Sequence, residues 1–89
     1  MKSLRLATAF KKDLKRIGRR KYDRELLEVV VDALRREAGL PEARRDHSLK
    51  GEWKGWRDCH VEPDWVLIYR KEGGKLELGR TGTHADLFE

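Results

Sequence analysis

Trp65–Thr83, WVLIYRKEGGKLELGRTGT, is the stretch on which the reading of the fold turns. Its first six residues, Trp65–Arg70, are rich in β-branched and aromatic side chains and form the strongest strand signal in the chain. Lys71-Glu72-Gly73-Gly74 then supplies a hairpin turn, and Lys75–Thr83 returns as the partner strand. Upstream, Glu52–His60 reads as the preceding strand, with Val61-Glu62-Pro63-Asp64 as the turn between them. Three strands in a row joined by short turns make an antiparallel sheet.

Before this stretch the apolar period is helical. Lys2–Leu6 alternates weakly and suggests a short first strand, with Thr8 as the cap of a following helix. In that helix Phe10, Leu14 and Ile17 face inward, and Lys11, Lys12, Lys15 and Arg16 occupy the wet face. Gly18 is expected to end it, and Gly18–Lys21 is a basic link. Asp23 is the expected cap of a second helix running from Arg24 to about Ala38. Leu27, Val30, Val31 and Leu34 form its stripe, widened by Leu26 and Ala33, and Gly39 and Pro41 stop it. Two antiparallel helices on one face of an antiparallel sheet give an α+β fold, expected as a single domain over residues 1–89. Leu40–Lys50 is a charged connection, and His84–Glu89 a short tail or turn.

Composition narrows the function classes. One cysteine excludes an intramolecular disulfide. No run reaches the roughly 20 apolar residues of a membrane span, and Met1–Phe10 lacks a leader pattern, so a cytoplasmic protein is expected. Residues 1–50 hold 15 Lys+Arg against 8 Asp+Glu, whereas residues 51–89 hold 6 against 8. A basic half beside a nearly neutral, aromatic one suits a polyanionic partner, although Lys and Arg also solvate ordinary helix faces.

The candidate chemistry lies in the second half. Cleaving RNA through its own 2′-hydroxyl needs a base, an acid and a cation on the phosphate. Histidine serves as either acid or base near neutral pH, and arginine offers a planar fork to phosphate oxygens. His47, His60, Asp64, Arg80 and His84 supply this set, with His60 and Asp64 flanking one turn and Arg80 and His84 at the end of the last strand. Taken singly, each is also an ordinary turn, strand or surface residue, with Glu77 or Asp58 as the alternative partner of Arg80 on the sheet. Trp65 stands between core packing and stacking on a base. Lys50, Lys54 and Arg57 are the neighbouring cations assigned to RNA. No metal site is expected: Cys59, His60, Asp64 and His84 show neither CxxC nor HxxxH spacing. The Gly-rich segments lack the lysine and helix of a phosphate loop, and no cofactor is expected.

From about Arg45 to Phe88 three elements stand in order: DHSLKG at Asp46–Gly51, RDCHVEPDW at Arg57–Trp65 and RTGTHADLF at Arg80–Phe88. With these the chain resembles the YafQ-type branch of the RelE/ParE toxin superfamily, the ribosome-dependent mRNA interferases of bacterial type II toxin–antitoxin pairs. The resemblance implies active-site positions at His47, His60, Asp64, Arg80, His84 and Phe88. It further implies His84 as general acid, Arg80 as the phosphate-stabilising cation, and His47, His60 and Asp64 as residues that position RNA and assist proton transfer. Phe88 would orient the scissile nucleotide, and Trp65 lies beside the catalytic aspartate. Whether His60 or Asp64 is the base stays open. Ser48 replaces a proline common in relatives, a change expected to be tolerated. The implied partners are a cognate antitoxin, the ribosomal A site with its rRNA, and mRNA. Two other classes are weighed against this: a non-catalytic, gyrase-binding ParE-like toxin, and a plain RNA-binding module. The histidine set argues against the first.

Overall fold

The computed structural model describes residues 2–20, 22–36 and 39–88. Lys21 of the basic link and the expected helix end at Ala38 lie outside the described residues. In chain order the elements are β1 (Ser3–Leu6), α1 (Thr8–Arg19), α2 (Arg24–Arg35), β2 (His47–Ser48), β3 (Arg57–Glu62), β4 (Trp65–Glu72), β5 (Lys75–Gly82) and α3 (His84–Phe88). Short 3-10 turns at Glu42–Arg44 and Gly51–Trp53 flank β2. The fold is α+β, and its sheet runs β1-β5-β4-β3-β2.

β2 to β5 pair antiparallel, as short turns require, and Gly73 takes a positive φ of 54° in the β4–β5 turn. β1 instead joins β5 in parallel, with Ser3 opposite Lys75 and Leu6 opposite Leu78. That arrangement is open to it because the whole helical hairpin lies between β1 and the rest of the sheet. The sheet is therefore mixed.

Helix starts follow local chemistry. The Asp23 side chain accepts the Glu25 N–H at 2.9 Å and caps α2 as expected. Thr8 does not cap α1. Ala7 holds that place in extended conformation, its N–H donated to the Leu78 carbonyl at 3.0 Å, so the chain passes from strand to helix without a side-chain cap. Gly18 does not end α1 either; the helix continues to Arg19, where Arg16 and Arg19 face the negative end of its dipole. The third strand from the C-terminus starts later than expected, at Arg57, because Gly51–Trp53 coils into a 3-10 turn. The C-terminal stretch expected as tail or turn is the short helix α3.

All of Trp65–Tyr69 in β4 is buried, because the sheet is covered on both faces. Trp65, Leu67 and Tyr69 pack with Phe10, Ile17, Leu27, Val30 and Leu34 under the helices. Val66 and Ile68 point the other way, into a smaller cluster with Leu49, Trp53, Trp56 and Leu87. Two bulges set what this second face displays. One lies between His60 and Glu62 on β3, where the Val61 carbonyl accepts from Arg44 Nη1. The other inserts Gly79 between Leu78, opposite Tyr69, and Arg80, opposite Ile68. In a regular strand Leu78 and Arg80 would share a face. The extra residue turns Arg80 away from the helix-side core. Gly79 suits the bulge because a Cβ there would lie 2.6 Å from Cζ3 of Trp56.

Candidate active site

The face opposite the helical hairpin gathers most of the candidate catalytic side chains. Strand alternation brings Asp58 and His60 of β3 to it, alongside Val66 and Ile68 of β4. β2 adds His47, directly opposite Asp58. The Pro63-Asp64 turn and the start of α3 complete the group with Asp64, His84 and Phe88. The His60 and His84 rings are 5.2 Å apart between centroids, and the His84 and Phe88 rings, one helical turn apart, 6.1 Å.

Each histidine is held through the same ring nitrogen. Nδ1 of His47 lies 2.8 Å from the Arg45 carbonyl, Nδ1 of His60 lies 3.1 Å from the Pro63 carbonyl, and Nδ1 of His84 lies 3.0 Å from Oδ1 of Asp64. All three partners only accept, so the hydrogen-bond network assigns the proton to Nδ1 in each neutral ring. Among the described residues no hydrogen bond takes Nε2 of any of the three, which leaves it to take or give a proton. Arg45 aims its carbonyl at His47 from a left-handed conformation, φ 50° and ψ 43°, which is uncommon without glycine.

The two carboxylates differ. Asp64 is exposed and accepts from both the ring and the backbone N–H of His84, which hold its carboxyl below the ordinary aspartate value. Asp58 is 3% exposed, and burial raises its pKa against the opposing pull of His47, His60 and His84. Among the described residues its Oδ1 receives no well-directed hydrogen bond, so its 2.9 Å approach to His47 Nδ1 is an electrostatic contact. Asp58 is a site residue that the sequence reading considered only as a partner for Arg80. Its position two before His60 in a strand was the available signal.

Arg80 pairs with neither Glu77 nor Asp58. Its Nε and Nη2 donate to Asp13 of α1 at 2.6 and 3.1 Å. Asp86 of α3 accepts Arg20 Nη1 at 2.7 Å and the Thr83 N–H at 3.0 Å, docking the helix that bears His84 and Phe88.

Two expected RNA contacts are placed elsewhere. Trp65 is 1% exposed, donates Nε1 to Thr81 Oγ1 at 2.8 Å and is stacked on Tyr22, so its role is packing. Arg57 lies on the helix side with Tyr69, both donating to Asp46 Oδ1 at 3.1 and 2.6 Å. The β-strand parity that presents His60 carries Arg57 away from it. Lys50 and Lys54 are exposed on the β2–β3 connection. Ser48 keeps strand register with Arg57. Beside His60 is a cleft of about 460 Å³ lined by Arg44, Arg45, Glu62 and Pro63. Among the described residues no three His, Cys, Asp or Glu side chains are grouped to hold a metal ion. No helix among them is long and apolar enough to cross a membrane.

Comparison with known proteins gives the family of the chain. A family model described as bacterial toxin of type II toxin–antitoxin system, YafQ, matches residues 2–89. The mRNA interferase toxin YafQ of Escherichia coli is 45% identical over 80 residues, 89% of this chain and 87% of that protein. The crystal structure of the E. coli DinJ–YafQ complex has a matching chain at TM-score 0.90 and 40% identity, covering 100% of each. That of a copper-bound mutant toxin from Helicobacter pylori matches at TM-score 0.94 and 38% identity, covering 99% of this chain and 100% of that one. The chain belongs to the YafQ family of bacterial toxins of type II toxin–antitoxin systems.

Proposed function

We propose that this chain is an endoribonuclease that cuts mRNA during translation, in the ribosomal A site, by transfer through the RNA's own 2′-hydroxyl. The observation that carries the proposal is the common arrangement of three histidines, each tied at Nδ1 with Nε2 free, around one face of the sheet. Nε2 of His47 or His60 takes the 2′-hydroxyl proton, and the oxygen attacks the adjacent phosphorus. Arg80 steadies the charge that collects on the phosphorane oxygens. His84, charged before the step, gives its Nε2 proton to the departing 5′-oxygen, and Asp64 stabilises that imidazolium through Nδ1. This favours Asp64 as the partner of the acid, with a histidine as the base. Phe88, 43% exposed beside His84, offers a face on which the scissile nucleotide stacks. Acid, base and cation are all side chains, so the step is metal-independent.

Exposed Lys50 and Lys54 would meet mRNA phosphates, and the basic side of α1 ribosomal RNA, contacts that weaken as salt rises. E. coli YafQ is known in complex with DinJ, and a cognate antitoxin in the bacterial cytoplasm would hold this chain inactive in the same way.

End-group analysis of cleaved mRNA tests the mechanism. Fragments ending in 2′,3′-cyclic phosphate and beginning with 5′-hydroxyl are expected, with cutting unchanged by 1,10-phenanthroline, which spares the Mg²⁺ that ribosomes need. Fragments beginning with 5′-phosphate, or activity lost to that chelator, would point to a metal-activated water instead.

A further inference from the structure

The expected phosphate-binding arginine is not a free cation. Arg80 is bound side-on by a carboxylate that comes from α1, 67 residues away in sequence. Asp13 is 2% exposed, and besides the two Arg80 donors it accepts Arg16 Nη2 at 2.7 Å and the Thr81 N–H at 3.1 Å. Its place follows from the topology. β1 pairs with β5 only as far as Leu78, so beyond it the edge of β5 turned away from β4 has no strand neighbour among the described residues, and Asp13 takes the Thr81 N–H that a strand would have taken. Because the guanidinium is planar, using its Nε–Nη2 edge on Asp13 fixes the direction of the opposite edge. No hydrogen bond among the described residues takes Nη1, which leaves Nη1 and the outer Nη2 hydrogen as a preset fork for two phosphate oxygens.

The same helix face reaches the acid. Arg16 bridges Asp13 to Asp86 of α3, with its Nε 3.9 Å from Asp86 Oδ2, and Arg20 one turn on also binds Asp86. Gly82 makes room for this, since a Cβ there would lie 2.9 Å from Asp86 Oδ2 and 3.4 Å from Arg16 Nη2.

We infer that Asp13 is a positioning residue that aims Arg80 at the scissile phosphate and, through Arg16 and Asp86, holds α3 in step with it. The inference rests on the nuclease proposal above. A double-mutant cycle tests it, with cleavage rates in a translation reaction normalised to folded protein. Arg80→Ala is expected to slow cleavage by roughly 10²–10³-fold. Asp13→Asn, nearly isosteric, slows the parent by at least about tenfold but slows the Arg80→Ala protein by less than about twofold, because it acts through Arg80. Equal slowing in both backgrounds would make Asp13 a purely structural residue and overturn the inference while leaving the nuclease proposal intact. So would an Asp13→Asn protein that fails to fold where Arg80→Ala folds. A folded parent that leaves the mRNA whole refutes the nuclease proposal and this inference together.

Discussion

Gly79→Ala should destabilise the protein measurably and disturb its chemistry, although residue 79 touches none of the histidines. The added methyl would lie 2.6 Å from Trp56 Cζ3, with 3.1 Å to two further ring atoms, where ordinary contact begins at 3.4 Å. The ring must retreat by about 0.8 Å, or the bulge must open. Trp56 is not free to move. It meets Trp53 edge-on at 5.7 Å, lies under the Arg70 guanidinium at 4.6 Å and is held in backbone hydrogen bonds to Trp53 and Leu49. Losing the aromatic pair costs about 0.5–1.5 kcal/mol and the cation–π contact about 0.5–1 kcal/mol. A total of about 1–2.5 kcal/mol results, within the range for overpacked sites. For a chain of this size that is a fall in Tm of roughly 4–20 °C. Thermal unfolding followed by circular dichroism measures it. Because the same bulge turns Arg80 to the active face, cleavage by the folded fraction should fall as well. Truncating Trp56 to Ala removes the obstacle, so Gly79→Ala should cost less than half as much in that background. An unchanged midpoint in the Gly79→Ala protein would refute the reasoning, as would an equal loss with and without Trp56.

Three further outcomes are expected. Arg20 first, and then the Thr83 N–H, hold the Asp86 carboxyl well below the usual carboxylate range. A depressed carboxylate adds stability above its unfolded pKa of about 4, and that stability is lost as pH falls from there through the folded value. Asp86→Asn should therefore flatten the acid limb of a plot of urea midpoint against pH and reduce cleavage; an acid limb like that of the parent would contradict the Arg20–Asp86 account. Trp65→Phe removes the donor to buried Thr81 and should cost about 1–3 kcal/mol in urea unfolding, with cleavage per folded molecule changed less than about twofold; cleavage lost without stability lost would restore Trp65 to base stacking. Cys59 is wholly buried, and desolvation pushes its thiol up to about 12. Iodoacetamide near neutral pH should label it only after unfolding, and rapid labelling of native protein would count against that burial.

The elements with regular periods were legible in the sequence. WVLIYR, the α1 and α2 stripes and the Asp23 cap all stand where composition and spacing put them. His60, Asp64, His84 and Phe88 do come together, because a turn and a hairpin are local features. What escaped was set by interruptions of period and by distance along the chain. The Gly79 bulge reverses the parity of Arg80, and nothing in the LELGRTG pattern marks it. Asp13 reads as one polar residue on a wet helix face until the end of β1 leaves a β5 N–H in need of an acceptor. Strand parity, which sends Trp65 and Arg57 to the helix side, depends on which face is covered, and both faces of β4 are. The short helix α3 carries too few residues to show a helical period.

The claim that the three-histidine face cuts translated mRNA is tested most directly by primer extension. The reaction contains purified protein, ribosomes and a defined mRNA, and runs beside a ribosome-free mixture and the His84→Ala protein. The account predicts cuts at fixed positions within codons, absent without ribosomes and reduced by roughly 10²–10⁴-fold without the His84 imidazole, while His84→Ala still folds and binds antitoxin. Cuts that persist undiminished in the His84→Ala protein, or an intact message from folded parent, would contradict it.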